Sequence, residues 1–167
     1  KNFTWHFRLG NLAIPVALAM MVSALMAASN SVREGHLGIP GLFFPKPEGF
    51  FMLNFNSTLV FTVFAIVGWF FRHKAETHKR LMLMATVAGL LPPGISRLPY
   101  LEGHTPLIAL TIIAVLCIGP IYDWHKTKRF HYAYLCTFPF VLLILPPVVE
   151  LLSGTTLWVQ FVGLFIS

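Results

Sequence analysis

Long apolar runs separated by short basic blocks constrain this chain more than any other feature, because few folds can bury them in water. Apolar stretches lie at about residues 11–28, 52–71, 81–95, 106–122 and 132–152, with a shorter one at 157–166. At about 1.5 Å of rise per residue, about 20 helical residues cross a hydrocarbon layer of about 30 Å. The chain is 56% hydrophobic and only 11% charged, with a mean hydropathy of +0.74, whereas soluble domains carry about 25% charged residues. The expected fold is an all-α polytopic transmembrane bundle: one membrane domain of about five spans plus a short apolar C-terminal segment, either interfacial or partly inserted, or the start of a sixth helix cut off by the chain end.

The net charge of +6 does not point to nucleic acid, since the basic residues sit in blocks between apolar runs rather than along one polar face. Arg72, Lys74, Lys79 and Arg80 form one block; Lys126, Lys128 and Arg129 form another. With five spans, these seven residues, Lys1 and Arg8 share one side, nine in all, against Arg33, Lys46 and Arg97 on the other. That bias predicts a cytoplasmic N-terminus and an outside C-terminus in a bacterial inner membrane. The partners expected are the lipid bilayer and other membrane subunits.

Prolines mark the breaks. Pro92–Pro93 and Pro146–Pro147 lack backbone donors, so the third and fifth runs are expected to kink or end there. Asn54, Asn56, Ser57 and Thr58 stand at the entrance of the second run and need protein, water or backbone partners. Arg97 and Glu150 are costly at membrane depth, which predicts that they pair as a structural polar couple.

Five of the seven histidines, His6, His73, His78, His125 and His131, fall on the basic side. Two of them head small helix faces. From His6 one face reads Gly10, Ala13, Ala17, Met20, Ala24 and Ala27; from His78 one reads Met82, Ala85, Gly89, Pro92 and Ser96. Small faces let helices approach closely. A narrow slot between them, closed by two imidazoles, would also suit a porphyrin edge-on with His6 and His78 as axial ligands. Asp123 and His131 could join the two histidines around a metal. Cys117 and Cys136 read as small hydrophobes. There is no glycine-rich phosphate loop, GxSxG, HExxH or CxxC, so catalysis is not expected from this chain.

The blocks WHFRLG at Trp5, THKRLMLMAT at Thr77, LPPGISRLP at Leu91 and IYDWHKTKRFH at Ile121 resemble, in order, those of a widespread and largely uncharacterised family of bacterial polytopic inner-membrane proteins. The resemblance singles out His6, Arg8, Gly10, His78, Arg80, Met82, Arg97, Asp123 and His131. It implies further helices ahead of Trp5, so that this chain would be the later part of a longer protein or a shortened relative. The entries are more distantly similar to those of four-helix membrane b-type cytochromes, which implies haem b as the alternative cofactor. Three functions are therefore expected, in this order: a non-catalytic helical accessory subunit, a redox or metal-binding membrane protein, and a transporter lined at its broken helices by Arg97 and Glu150.

Overall fold

A computed structural model describes residues 4–39, 42–95, 98–101 and 104–166. The chain is helical almost throughout. In order it runs α1 (Thr4–Asn11), α2 (Ala13–Arg33), a two-residue antiparallel pairing of Gly38–Ile39 with Leu42–Phe43, then α3 (Pro47–Phe70) and α4 (Ala75–Met84). A π-helical segment (Ala85–Leu90) leads into α5 (Leu91–Ile95), followed by α6 (Thr105–Thr127), α7 (Tyr132–Leu142), α8 (Pro146–Ser153) and α9 (Thr156–Ile166).

Among the described residues three helices, rather than the five expected, are long and apolar enough to cross a membrane: Arg8–Arg33, Pro47–Phe70 and Pro106–Thr127. They are consistent with a membrane location. The two runs that do not form a single long α-helix are those that carry the proline pairs, which act differently. At Pro146–Pro147 the fifth run breaks as expected, and Pro146 opens α8 at a first-turn position where its missing donor costs nothing. At Pro92–Pro93 the helix neither ends nor breaks. The preceding residues widen into i→i+5 hydrogen bonding, with Leu91 N–H donating to Thr86 O. Both prolines then fall in the first turn of α5, where no α-type donor is needed.

The first span contains a smaller break at Leu12, whose N–H turns back to Leu9 O at 3.0 Å. Pro15 causes it locally, since it cannot donate to the Asn11 carbonyl.

The core is assembled around α3. The apolar window of α3 is 50% buried within the chain, against 17% for each of the other two spans. Along α3, Val60 and Phe64 pack with Leu81, Met84, Ala85 and Ala88; Phe50 and Met52 pack with Phe44 and Val149; Phe51 packs with Ala28 and Val162. Small residues carry the closest approach. A Cβ on Gly89 would lie 2.6 Å from Phe61 Cβ and 2.8 Å from its backbone nitrogen and Cα, so the π-helical segment rests directly on the α3 main chain.

The polar entrance of α3 meets most of its expected needs. Asn54 Nδ2 donates to Phe50 O at 2.8 Å, Thr58 Oγ1 donates to Asn54 O at 2.9 Å, and Asn56 Nδ2 donates to Leu143 O at 2.7 Å. The last bond satisfies a carbonyl in the break between α7 and α8. Ser57 is the exception: its hydroxyl is buried with no hydrogen-bond partner.

Helix α9 crosses the start of α3 rather than running beside it. Trp158 and Phe165, seven residues apart, both contact the Phe51 ring, at 5.9 and 5.8 Å between centroids. Trp158 Nε1 also donates to Glu48 O at 3.1 Å, and Arg33 Nη2 donates to Phe165 O at 3.2 Å.

Candidate functional site: two polar groupings at the basic end

The basic blocks meet at one end of the bundle, in two groupings. The first lies between the faces headed by His6 and His78. Their rings stand 6.1 Å apart, centroid to centroid, at an interplanar angle of 76°. A cleft of about 90 Å³ adjoins them, lined by Gly10 and Ala13 behind His6, Met82 behind His78, and Ala65 and Trp69 from α3. The sequence spacing puts Gly10, Ala13 and Met82 on these faces; α3 supplies the wall between them.

His78 is held from its far side. Its Nδ1 is 2.7 Å from Gly68 O, and a carbonyl can only accept, so Nδ1 carries the hydrogen and Nε2 is the nitrogen left for a ligand. A backbone carbonyl behind an imidazole is the usual way to fix a ligating histidine's tautomer and orientation. Gly68 has a second part in the arrangement. A Cβ there would lie 2.9 Å from Met82 Sδ, so the bare α-carbon lets the thioether close in beside His78. Arg72 sits over the Trp69 ring, 3.9 Å from its centroid, and caps the cleft.

The second grouping is an ion-pair network that sequence reasoning missed. Arg80, read from the sequence as a topology determinant alone, is 6% exposed and donates through Nε to Asp123, itself 6% exposed. Its Nη1 donates to Glu76 O at 2.5 Å and to Glu76 Oε2 at 2.8 Å. Thr77 and Tyr132 share a 2.6 Å hydrogen bond beside it, and buried Tyr134 lies alongside Asp123. Glu76 is exposed, and its bonds to Lys79 and Arg80 hold its carboxyl below the ordinary range.

Asp123 and His131 therefore do not join His6 and His78 around a metal. Asp123 is committed to Arg80, and His131 caps α7, its Nδ1 accepting the Ala133 N–H at 3.2 Å. Among the described residues no three His, Cys, Asp or Glu side chains converge on a metal-sized site. The Arg97–Glu150 pairing lies outside the described residues because Arg97 does; Glu150 is exposed. The remaining topology residues behave as surface cations. Lys74 stands 5.6 Å from the Phe71 ring centroid, Lys126 donates to the Tyr122 hydroxyl at 3.3 Å, and Lys128 and Arg129 are exposed.

The His131 cap gives a pH prediction. Burial first, and then the nearby Arg80 charge, push its imidazole below the ordinary value of 6.5. For a depressed histidine the fold favours the neutral form, so its stabilisation is present above pH 6.5 and is lost as pH falls through the lower folded value. Protonation also removes the acceptor that caps α7. Protection of the Ala133 and Tyr134 amides against hydrogen exchange, taken relative to their intrinsic rates at each pH, should fall on acidification below that point. In His131→Asn, whose cap does not titrate, this pH dependence should disappear; an equal loss of protection in both proteins would exclude His131 as its source.

No protein-family model, characterised protein or solved structure matches this chain.

Proposed function

We propose that this chain is an integral protein of a bacterial inner membrane, with a cytoplasmic N-terminus and an outside C-terminus, serving as a helical accessory subunit that packs against other membrane subunits. The observation that carries this reading is the unequal burial of the three long helices. Helix α3 is half buried, whereas the windows of the other two spans keep only 17% of their residues inside the chain. Leu110, Ile113, Ile118 and Ile121 of α6 are all exposed. In a bilayer such faces are covered by lipid or by other helices. The orientation is supported by the meeting of the N-terminal segment, the Arg72–Arg80 block and Asp123 at one end, through the His6–His78 and Arg80–Asp123 contacts.

A second reading is favoured by the histidine pair. Two imidazoles on opposite sides of one metal ion hold their centroids about 6 Å apart, close to the 6.1 Å between His6 and His78. Haem does not fit: ligand pockets usually enclose about 300–1,000 Å³, and this cleft offers about 90 Å³. A single ion needs far less room than a porphyrin. Two imidazoles and the Met82 thioether form a soft donor set, suited to a monovalent copper ion rather than to magnesium or calcium.

Purification of the full chain from its native membrane in mild detergent, followed by native mass spectrometry and an optical spectrum with and without dithionite, separates these readings. The accessory-subunit reading expects stoichiometric membrane partners that are lost in Ile118→Arg on the α6 face. A homogeneous monomer would overturn it. The metal reading expects one copper ion per chain, bound under reducing conditions and lost in His78→Ala. A reduced b-type band lost in the same variant would show that the cleft opens to admit haem, and would overturn the single-ion form.

A further inference from the structure

The two small helix faces enclose a second and larger space, at the end of the bundle away from the histidines. It measures about 490 Å³ and lies between α2 and α3, with the π-helical segment at its side. Ala24, Ala27 and Ala28 form one wall; Asn54 and Ser57 line another; Gly89 borders it. From Ser57 to Trp69 in the histidine cleft is twelve residues along α3, or about 18 Å, so the two spaces are separate.

Its volume falls in the range of small-molecule sites, about 300–1,000 Å³. One polar atom in its wall has no internal explanation. Ser57 is 3% exposed, and its hydroxyl has no partner. On these two helices the hydroxyls of Ser23, Ser29, Ser31 and Thr58 donate to the carbonyl four residues back, whereas those of Ser57 and Thr62 have no partner. Of these two, Ser57 lines the space. A buried hydroxyl without a partner is destabilising, and a bound acceptor would remove that cost. Asn54 also lines the space; its amide nitrogen is engaged by Phe50 O, which leaves its Oδ1 as an acceptor.

We propose that this cavity binds the carbonyl-bearing head of a neutral lipid-like molecule, with the carbonyl oxygen accepting the Ser57 hydroxyl. Three features select that chemistry. The alanine wall and Gly89 present flat apolar surface, which suits a planar ring or an alkyl chain. The lining holds no acid, lysine or arginine: besides Ser57 and Asn54 its polar groups are Ser31 and Thr58, whose hydroxyls donate within their own helices, and His36, which is bonded to Glu34 at 2.9 Å. A phosphate or carboxylate would enter without a counter-ion and lose its hydration, so charged headgroups are selected against. An isoprenoid quinone and the ester of an uncharged glycerolipid share the required group, a carbonyl on an apolar tail.

The test uses the full chain, delipidated in detergent and reconstituted into nanodiscs, with a decyl-substituted benzoquinone and dioctanoylglycerol as separate probes. Saturable binding of either probe is expected, and which one binds identifies the source of the carbonyl. Ser57→Ala, which removes only the unpartnered hydroxyl and so should leave folding intact, should weaken binding by about 3- to 10-fold, the worth of one hydrogen bond. Ala27→Phe, an exposed position whose ring would enter the cavity, should abolish it while circular dichroism stays unchanged. Failure of both probes to saturate would overturn the proposal and leave water as the partner of Ser57. So would binding that is unaffected by Ser57→Ala.

Discussion

Replacing Asp123 with Asn should destabilise the protein by about 3–5 kcal/mol, the cost of leaving a buried charge without its counter-ion. Arg80 and Asp123 are each 6% exposed and hydrogen-bonded to one another, so loss of the carboxylate leaves the buried guanidinium with Glu76 as its remaining acid. Glu76 compensates only in part, because it is exposed and shared with Lys79. The effect should be concentrated on α6, whose own apolar contacts within the chain are sparse and whose rotation this pair fixes. Unfolding titrations in mixed micelles would measure the loss, and cysteine-accessibility mapping at Cys117 would show whether α6 has turned. The double variant Arg80→Met with Asp123→Leu should recover most of the stability, because removing both charges together leaves nothing unpaired. A loss below about 1 kcal/mol in Asp123→Asn would mean that the pair is solvated and contributes no more than a surface ion pair.

The second large effect is expected at Gly89. Its added Cβ in Gly89→Ala would sit 2.6 Å from Phe61 Cβ and 2.8 Å from the Phe61 backbone. Carbon atoms are most stable at about 3.5–4.0 Å, and a main chain cannot rotate aside as a side chain can. The π-helical segment must therefore move off α3 by about 1 Å, disturbing the packing of Ala88 and Val60, both of which are 0–1% exposed. Overpacking of this kind costs about 1–3 kcal/mol, and without a hydrophobic driving force between helices in lipid there is little to offset it. Gly163→Ala is the control, since a methyl group added there has nothing within 4 Å. It should be neutral or slightly stabilising through helix propensity. Equal stability of the two variants in the same titration would show that the α3 contact is not as close as described.

The His6–His78 juxtaposition was legible because it follows from periodicity. Gly10 and Ala13 repeat behind one histidine, and Met82 behind the other, at helical spacing, and small faces are where helices meet. The break at Pro146–Pro147 was legible for a similarly local reason. Arg80 was not, since a basic residue beside an apolar run is fully accounted for by membrane topology, and nothing local distinguishes it from Lys79, whose side chain is 57% exposed. The signal available was Asp123, the one acid in an otherwise basic block, together with the Arg80 and Asp123 positions that the resemblance marked. The π-helical turn was hidden because a proline pair specifies missing donors but not whether the helix ends or widens to accommodate them. The need of Asn56 for a partner could be read from the chain; its answer, a carbonyl 87 residues away, could not.

That last bond has a consequence for the order in which the chain is made. The broken stretch between α7 and α8 presents the Leu143 carbonyl to its surroundings, and bare lipid offers no donor to it. Asn56 belongs to α3, which leaves the ribosome well before α7. The donor is thus already made when the break arrives, and the C-terminal fifth of the chain meets an α3 synthesised before it. Synthesis from N- to C-terminus, with domains folding as they emerge, supplies the polar partner ahead of the group that needs it.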